Sequence, residues 1–170
     1  IGRSRMGGQP GSRYDTRVDA IAPSPLSADE ADSLVYMREE EKLARDVYTA
    51  LYEIWQYPIF ANISRSEQRH MDAVRVLIER YDLQDPAAAD IPGTFQSDEL
   101  QKLYSELIET GSRSLSDALN VGVRIEELDI SDLLVGIENT DNEDMTSVYE
   151  NLLKGSRNHL ASFSRQLERF

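Results

Sequence analysis

The segment SEQRH carries a glutamate and a histidine whose types and spacing suit metal binding. Glu67 and His70 are three residues apart, so on a helix both side chains lie on one face. The same face carries Ile63, Val74 and Leu77, which directs the two polar groups toward the core. Burying an unpaired charge costs several kcal/mol, roughly, unless a counter-charge or a metal ion offsets it. On an exposed helix the same pair would simply be solvated.

Ionisable residues interrupt the apolar face of each of the four long helices that the sequence predicts. The six candidate ligands are Glu41, Glu67, His70, Glu126, Asp129 and His159. Carboxylate and imidazole donors fit iron or manganese, and zinc also accepts them. The chain has no cysteine, which excludes disulfides, thiolate catalysis and cysteine-type zinc sites. Brought to one level of a helical bundle, the six residues would share a pair of divalent cations.

Each candidate also has an interpretation without a metal. Glu41 lies in the run MREEEK, and glutamates are usually solvated. The two acids of IEELDI belong to an acidic helix and are consistent with a surface position. His159, four residues before Phe163, fits a core histidine that is hydrogen-bonded to a nearby oxygen. In a further alternative, buried arginines pair with the acids, with Arg45 and Arg69 as the candidates.

Hydrophobic spacing predicts that helices position these residues. A capping box, Ser27 followed by Glu30, marks the start of the first helix, and Pro58 follows its end. Gly111 stands where a glycine is expected just beyond a short helix. Four of the predicted helices cover about 27–57, 60–82, 98–110 and 145–167. Another begins near 114–116 and ends at the polar run 139–144.

The connections between these helices predict an all-α fold. The first two long helices are joined tightly, as are the last two, so each pair should be antiparallel. The long crossover lies between the second and third long helices and carries the short extra helix. We therefore expect an antiparallel four-helix bundle over residues 27–170. Residues 1–26 are rich in Gly, Pro, Ser and Arg and are predicted to form a tail.

The net charge of −13 limits the partners that the chain can bind. Phosphate repels an acidic surface, so nucleic acid is not expected, whereas metal cations are attracted. No apolar run is long enough to span a bilayer. The arginines of the tail predict that it docks on its own domain or on a neighbouring subunit of a homo-oligomer. Because the chain begins with Ile1, removal of an upstream segment and export are expected, with a cytoplasmic location as the alternative.

Glu41 is followed by Ala44, Arg45 and Tyr48, at positions +3, +4 and +7. This pattern resembles the ligand-bearing helix of rubrerythrin-type proteins in the ferritin-like superfamily, whose di-metal bundles also use Glu-x-x-His. The segments MREEEKLARDVY, SEQRHMDAV, IEELDI and GSRNHL are similar to those of an uncharacterised ferritin-like family, DUF2202. The resemblance implies a ferritin-like fold and a di-iron site, with manganese or zinc as alternatives. It also implies that Glu41, rather than its neighbouring glutamates, is the ligand.

The last helix departs from the superfamily pattern. Where a second Glu-x-x-His is expected, Ser156 stands three residues before His159 and offers no carboxylate. Glu150 is nine residues from His159 and therefore lies on the opposite side of the helix. Asp129, one turn beyond Glu126 on the same face, is the acid predicted to take the missing place. If Asp129 points elsewhere, five ligands remain, and a single metal or an asymmetric pair of metals is expected instead.

Two metal ions held in this way imply, by resemblance to the superfamily, a redox function. The expected activity is oxidation of Fe(II) or reduction of O2 or peroxide. Hydrogen bonds from Tyr48, Tyr52 or Tyr149 and a ligand carboxylate oriented by Arg45 would support it. Two other functions stay open. In one, zinc, manganese or calcium only stabilises the bundle; in the other, the chain is a building block that assembles through its tail.

Overall fold

Five helices lie entirely within residues 18–170, the part of the chain that the computed structural model describes, and this part contains no strand. The helices are α1 (Ala28–Trp55), α2 (Pro58–Arg80), α3 (Asp98–Gly111), α4 (Leu115–Glu138) and α5 (Glu143–Leu167). The predictions of an all-α fold and of a helical bundle are confirmed. Each helix begins and ends within a few residues of its predicted position.

Side-chain caps explain where three of the helices begin. At the start of α1 the Ser27 backbone N–H donates to Glu30 Oε2 (2.8 Å), and the Glu30 N–H donates to Ser27 Oγ (3.2 Å). This reciprocal pair is the predicted capping box, and it satisfies two otherwise unpaired donors. Ser97 and Ser114 cap α3 and α4 in the simpler way, each accepting one backbone N–H.

The long helices pair in antiparallel fashion, α1 with α2 and α4 with α5. Along α1 and α2, Arg38 Nη1 donates to the Met71 carbonyl (3.0 Å) and Arg45 Nη1 donates to Gln68 Oε1 (2.6 Å). Residue numbers therefore rise on one helix as they fall on the other. On α4 and α5 the opposed residues follow the same rule: Glu126 lies by His159, and Asp129 by Ser156.

Gly111 does not have the predicted role. It is the last residue of α3 rather than the residue beyond the helix, and Ser112 follows in a right-handed conformation. A Cβ at this position would lie 2.7 Å from Leu51 Cδ2, so the glycine allows α3 to approach α1. The Gly111 carbonyl also accepts a hydrogen bond from Trp55 Nε1 (2.8 Å). Close packing, rather than a left-handed turn, explains the glycine.

The apolar core is divided into two layers along the bundle axis. One layer contains Tyr48, Phe60 and Phe163, and the other contains Val74 and Tyr149. On every long helix the residues of the two layers are separated by about two to three turns that carry buried ionisable groups. The helices therefore bring the candidate ligands to one level, as the sequence predicts, because each helix interrupts its apolar face near the middle.

The crossover between α2 and α4 covers the outer face of α1. Glu39 accepts hydrogen bonds from the backbone N–H groups of Gln96 (2.5 Å) and Ser97 (2.9 Å), where α3 begins. Lys42 Nζ donates to the Ile91 carbonyl (2.8 Å) and lies 4.5 Å from the centre of the Phe95 ring. The crossover thus buries Glu39, and Glu40 and Glu41 are buried as well. The interpretation of this run as a solvated face is wrong.

The described end of the predicted tail lies on its own domain. Val18 is buried in the apolar layer that contains Val74 and Tyr149. The Arg80 guanidinium donates to the carbonyls of Val18 (2.6 Å) and Ile21. Residues 1–17, which hold most of the predicted tail, lie outside the described residues, so docking on a neighbouring subunit stays a prediction. Within the described residues, no helix has the length and apolar character needed to cross a membrane.

Candidate metal centre

Glu67 lies between the two histidines of the chain and faces both of them. Its Oε2 lies 2.8 Å from His70 Nδ1, one turn along α2. Its Oε1 lies 2.8 Å from His159 Nδ1, which α5 supplies. Each carboxylate oxygen thus has its own imidazole nitrogen, and the two rings stack with their centres 5.4 Å apart. A carboxylate so placed has the geometry of a ligand that bridges two neighbouring positions.

Two groups of three possible ligands share this glutamate. Glu41, Glu67 and His70 form one group, and Glu67, Glu126 and His159 form the other. In each group the donor atoms lie within 4.8 Å of one another. The Glu41 Oε2 to His70 Nδ1 distance is 3.2 Å, and the Glu126 Oε2 to His159 Nδ1 distance is 3.5 Å. Five of the six sequence-predicted ligands are therefore brought together.

Several polar atoms of this cluster lack a hydrogen-bond partner among residues 18–170. They are Glu41 Oε1, Glu67 Oε1, Asp129 Oδ1 and His159 Nδ1. All four residues are less than a tenth exposed. His159 Nδ1 and Glu67 Oε1 are close, yet they are not aligned as a hydrogen bond. Unpaired buried polar atoms are costly, and converging carboxylate and imidazole donors are the set that a divalent transition metal binds. The residues present fit a metal.

The electrostatics of the cluster are dominated by burial and by the excess of acids. Burial raises the pKa of Glu41 to about 7, although the His70 charge acts against this rise. Burial, together with the charge of Glu67, raises the pKa of Glu126 to about 8. Burial also disfavours ionisation of Glu67, but His70 and His159 outweigh it and hold the pKa of Glu67 well below its usual value. Glu67 is therefore the most readily ionised of these three glutamates.

The pKa values of both histidines are raised by the neighbouring carboxylates. Burial by itself lowers the pKa of an imidazole, but the neighbouring carboxylates outweigh burial at both positions. The close carboxylates of Glu126 and Glu67 raise the pKa of His159 to about 9. Glu41 and Glu67 raise the pKa of His70 well above its ordinary value. Without a metal, two imidazolium groups supply the positive charge for this cluster of acids.

Asp129 joins the buried cluster but belongs to neither group of three ligands. Its Oδ2 accepts a hydrogen bond from Ser156 Oγ, the residue that stands where the superfamily pattern expects a glutamate. Burial raises the pKa of Asp129 well above its usual value, and the charges of Glu41 and Glu40 add to the rise. Ser156 and Asp129 thus occupy the place of the missing acid together. Ligation of a metal by Asp129 stays a prediction.

One of the three tyrosines named from the sequence contacts the cluster. Tyr48 OH donates to Glu126 Oε1 over 2.6 Å, and burial raises the pKa of this phenol well above 10. Tyr149 OH is instead hydrogen-bonded to Ser33 Oγ (2.9 Å). Tyr52 packs beside the apolar layer that contains Tyr48. Tyr48 is therefore the residue that positions a carboxylate of the cluster.

The predicted roles of the arginines are wrong. Arg45 does not orient Glu41; its guanidinium donates to Asp46, Gln68 and Asp90 on the far side of the helix. Arg69 is exposed. The acids of the cluster therefore do not pair with these arginines, because both side chains point away from the inner face. Pairing with these two arginines is therefore wrong, whereas a metal-free cluster in which His70 and His159 pair with the acids stays an alternative.

Three further residues shape the centre without having been singled out from the sequence. Ser66 Oγ lies 3.0 Å from His159 Nε2 and fixes the outer nitrogen of that ring. Gly155 makes room for His70, since a Cβ there would lie 2.5 Å from His70 Nε2. Glu40 is buried beside the cluster. Glycine at the position facing an inward histidine is a usable signal, but only once the helix pairing is known.

Comparison with known protein families shows which family the chain belongs to. The family described as an uncharacterized protein domain (DUF2202) matches residues 30–170. The chain belongs to this family. The similarity predicted from MREEEKLARDVY and the three other segments is thereby confirmed, whereas membership of the ferritin-like superfamily stays a prediction.

Relatives of this DUF2202 protein share its fold and carry no assigned activity in their names. The chain is 50% identical over 153 residues to the uncharacterized protein MJ0754 of Methanocaldococcus jannaschii, covering 90% of this chain and 83% of that protein. A crystal structure of hypothetical protein MJ0754 from Methanococcus jannaschii has a TM-score of 0.86 at 52% identity and covers 88% and 85% of the two chains. A DUF305 fragment from Deinococcus radiodurans has a TM-score of 0.64 at 15% identity, covering 86% and 100%. That second likeness concerns the fold alone.

Proposed function

We propose that this DUF2202 protein is a ferritin-like protein that holds two metal ions between its four long helices. The observation that carries the proposal is the position of Glu67, whose two oxygens face two different histidines at 2.8 Å each. A bridging carboxylate with one histidine on each side is the arrangement that di-metal bundles use. A single-metal site would not need a second imidazole on the opposite oxygen.

The ligands divide between the two ions along the two groups already described. Glu41 and His70 serve one ion, Glu126 and His159 serve the other, and Glu67 bridges them. Tyr48 holds Glu126 by the hydrogen bond to its Oε1, so that Oε2 stays turned toward His159. Ser156 holds Asp129 at the edge of the centre. Asp129 is a further buried carboxylate beside the centre.

Iron is the metal that we propose, with manganese or zinc compatible with the same donors. Two ferrous ions together supply two electrons, the number needed to reduce O2 to peroxide or peroxide to water. The protein shields the proposed centre from solvent. All five ligands are less than a tenth exposed, and apolar layers lie on both sides of them. Burial keeps bulk water from the bound ions, and the carboxylates exchange protons as the charge of the centre changes.

Iron loading under anaerobic conditions, followed by oxygen or peroxide, tests this function. We expect wild-type protein to bind two Fe(II) per chain and to develop ferric absorbance in the near ultraviolet faster than Fe(II) in buffer. Glu67→Gln should bind no more than one ion and lose the fast phase, because it removes the shared ligand. Absence of iron uptake by the wild type would contradict the proposal.

Glu79→Gln is the matched control for Glu67→Gln. Glu79 lies on the same helix, and its side chain is 71% exposed. The substitution is chemically identical, so it reports the general cost of neutralising a glutamate on α2. We expect unchanged metal stoichiometry and unchanged oxidation kinetics in this variant.

A structural metal is the second candidate, favoured by the position of the charged level between two apolar layers. Acids buried there repel one another, and any divalent ion would offset this repulsion and stabilise the folded state. Under this function Zn²⁺ raises the melting temperature as much as Fe(II) does. Bound Fe(II) would then oxidise no faster than free Fe(II), which separates the two candidates.

A further inference from the structure

A second acidic feature lies outside the proposed centre, between α1 and α4. Glu40 is only 2% exposed, yet no hydrogen-bond donor among residues 18–170 reaches either of its carboxylate oxygens. The group that faces it across the helix interface is another carboxylate, Asp132, on α4. Two carboxylates in contact repel each other unless a proton or a cation lies between them.

The charged residues that act most strongly on Glu40 do not offset its negative charge. Those that act on it most strongly belong to Asp132, Glu41 and Glu99, and all three are acidic. His70 and His159 are engaged with Glu41, Glu67 and Glu126. Glu40 is thus a buried, unpartnered acid surrounded by further acids, which is an unfavourable arrangement for a bundle that binds nothing there.

Asp132 connects the buried acid with the surface. It lines an open groove of about 800 Å³ together with Tyr36 of α1 and Glu99 of α3. Asp132 is partly exposed and Glu99 is exposed, so a hydrated cation can approach both. Tyr36 is close enough for the charges of Glu40, Glu99 and Asp132 to act on its hydroxyl. Asp132 therefore lines the groove on one side and acts on the buried Glu40 on the other.

We propose that Glu40 and Asp132 form a separate site for a divalent cation that prefers oxygen ligands, such as Mn²⁺ or Ca²⁺. Their two carboxylates supply the protein ligands, and water in the groove completes the coordination, since hard cations tolerate several water ligands. The site contains no imidazole, which distinguishes it chemically from the His-containing centre. It does not depend on whether that centre is filled or on what reaction occurs there.

Tb³⁺ is a suitable probe because it prefers carboxylate oxygen and because a nearby tyrosine sensitises its emission. Titration of the wild-type protein, with excitation of tyrosine, should give saturable Tb³⁺ emission. Glu40→Gln and Asp132→Asn should each weaken Tb³⁺ binding by about tenfold or more, as expected for loss of a ligand. Tyr36→Phe should reduce the emission but leave the binding constant unchanged.

Asp32→Asn is the matched control, because Asp32 is exposed on α1 and lines the same groove. It should change Tb³⁺ affinity by less than twofold. His70→Ala with His159→Ala removes imidazoles of the centre and should leave the emission intact. If emission is lost in that variant but kept in Glu40→Gln, Tb³⁺ occupies the centre and the outer site is refuted, while the proposed function stands.

Retention of wild-type affinity in both Glu40→Gln and Asp132→Asn would also overturn the inference. The two acids would then share a proton rather than a cation. Circular dichroism checks that each variant is folded. Because Asp132 is partly exposed, Asp132→Asn decides the question even if Glu40→Gln fails to fold.

Discussion

At the scale of single residues, the centre combines one acid of lowered pKa with acids whose pKa values are raised. Glu67 is ionised because two imidazoles face it, whereas the pKa values of Glu41 and Glu126 are raised to about 7 and about 8. The difference arises although all three carboxyl groups are fully buried. Position relative to the histidines, rather than residue type, decides which acid carries charge.

Metal binding at this centre is expected to release protons and to strengthen as pH rises. Below about pH 8 Glu126 is mostly protonated, and below about pH 9 His159 is too, so a metal must displace these protons. Zn²⁺ affinity should therefore increase from pH 6 to pH 9, by roughly tenfold per unit for each proton displaced. Calorimetry in two buffers of different ionisation enthalpy measures both the affinity and the proton count.

The same titration distinguishes the centre from adventitious surface binding. Exposed carboxylates ionise near pH 4, so a site built from them would show almost no change in Zn²⁺ affinity between pH 6 and pH 9. A flat profile in wild-type protein would contradict the assignment of buried, protonated ligands. Glu79→Gln should reproduce the wild-type slope, because this glutamate is exposed.

At the scale of secondary-structure elements, α5 supplies one proposed ligand, His159, and the space for another, His70. Gly155 lies beside the His70 ring, and a Cβ there would come within 2.5 Å of His70 Nε2. Alanine in the interior of a helix is usually more stable than glycine by about 1 kcal/mol. Here the gain in helix propensity is opposed by the displacement of an imidazole that the neighbouring helix contributes.

Gly155→Ala should therefore weaken metal binding without unfolding the chain. We expect Zn²⁺ affinity to fall by roughly ten- to a hundredfold, because His70 must rotate away from Glu41 and Glu67. Calorimetry gives the affinity, and circular dichroism gives the helix content. Lys154→Ala, an exposed change on the preceding residue, is the control and should bind Zn²⁺ normally. Equal affinities in both variants would show that the added methyl group does not displace the His70 ring.

Helix periodicity was sufficient to predict the elements and the inward positions of Glu67, His70 and Glu126. These positions depend on residues three or four apart, which the sequence displays directly. Burial of Glu39 and Lys42 could not be predicted in the same way. Their partners, Gln96 and Ile91, lie 57 and 49 residues away in the crossover, and no local pattern indicates where a crossover will pack.

The partners of Arg45 and Ser156 also lie on other elements and could not be predicted from local spacing. Arg45 was assigned to Glu41 by its spacing along one helix, but Asp90 of the crossover and Gln68 of α2 bind it instead. Ser156 offers no carboxylate, and its hydrogen bond to Asp129 depends on the register between α4 and α5. Local spacing identifies which face a residue occupies, whereas its partner is chosen by tertiary packing.

At the scale of the whole molecule, the net charge of −13 produces a field that attracts cations. The groove that leads to Asp132 is lined by several acids, including Asp29 and Asp32. Long-range attraction of this kind increases the rate at which an ion meets the protein more than it increases the final affinity. It is also reduced by salt, because the screening length is about 8 Å at physiological ionic strength.

Cation uptake should consequently slow as ionic strength rises. The association rate of Mn²⁺ or Zn²⁺, followed by stopped-flow fluorescence, should fall by about tenfold or more between low and high NaCl. Sucrose at matched viscosity changes diffusion but not screening, and it separates the two effects. A rate that responds equally to sucrose and to NaCl would exclude electrostatic attraction as the cause.

The glutamate run of α1 also has a genetic consequence. Glu39 binds the backbone just before α3, Glu40 faces Asp132, and Glu41 faces His70, so three identical neighbours have three different surroundings. Each residue turns an α-helix by about 100°. Loss of a single glutamate codon would leave two glutamates and nearly the same composition, yet it would rotate the upstream turns with Leu34 out of the core. A change in the length of this run is therefore more damaging than a substitution within it.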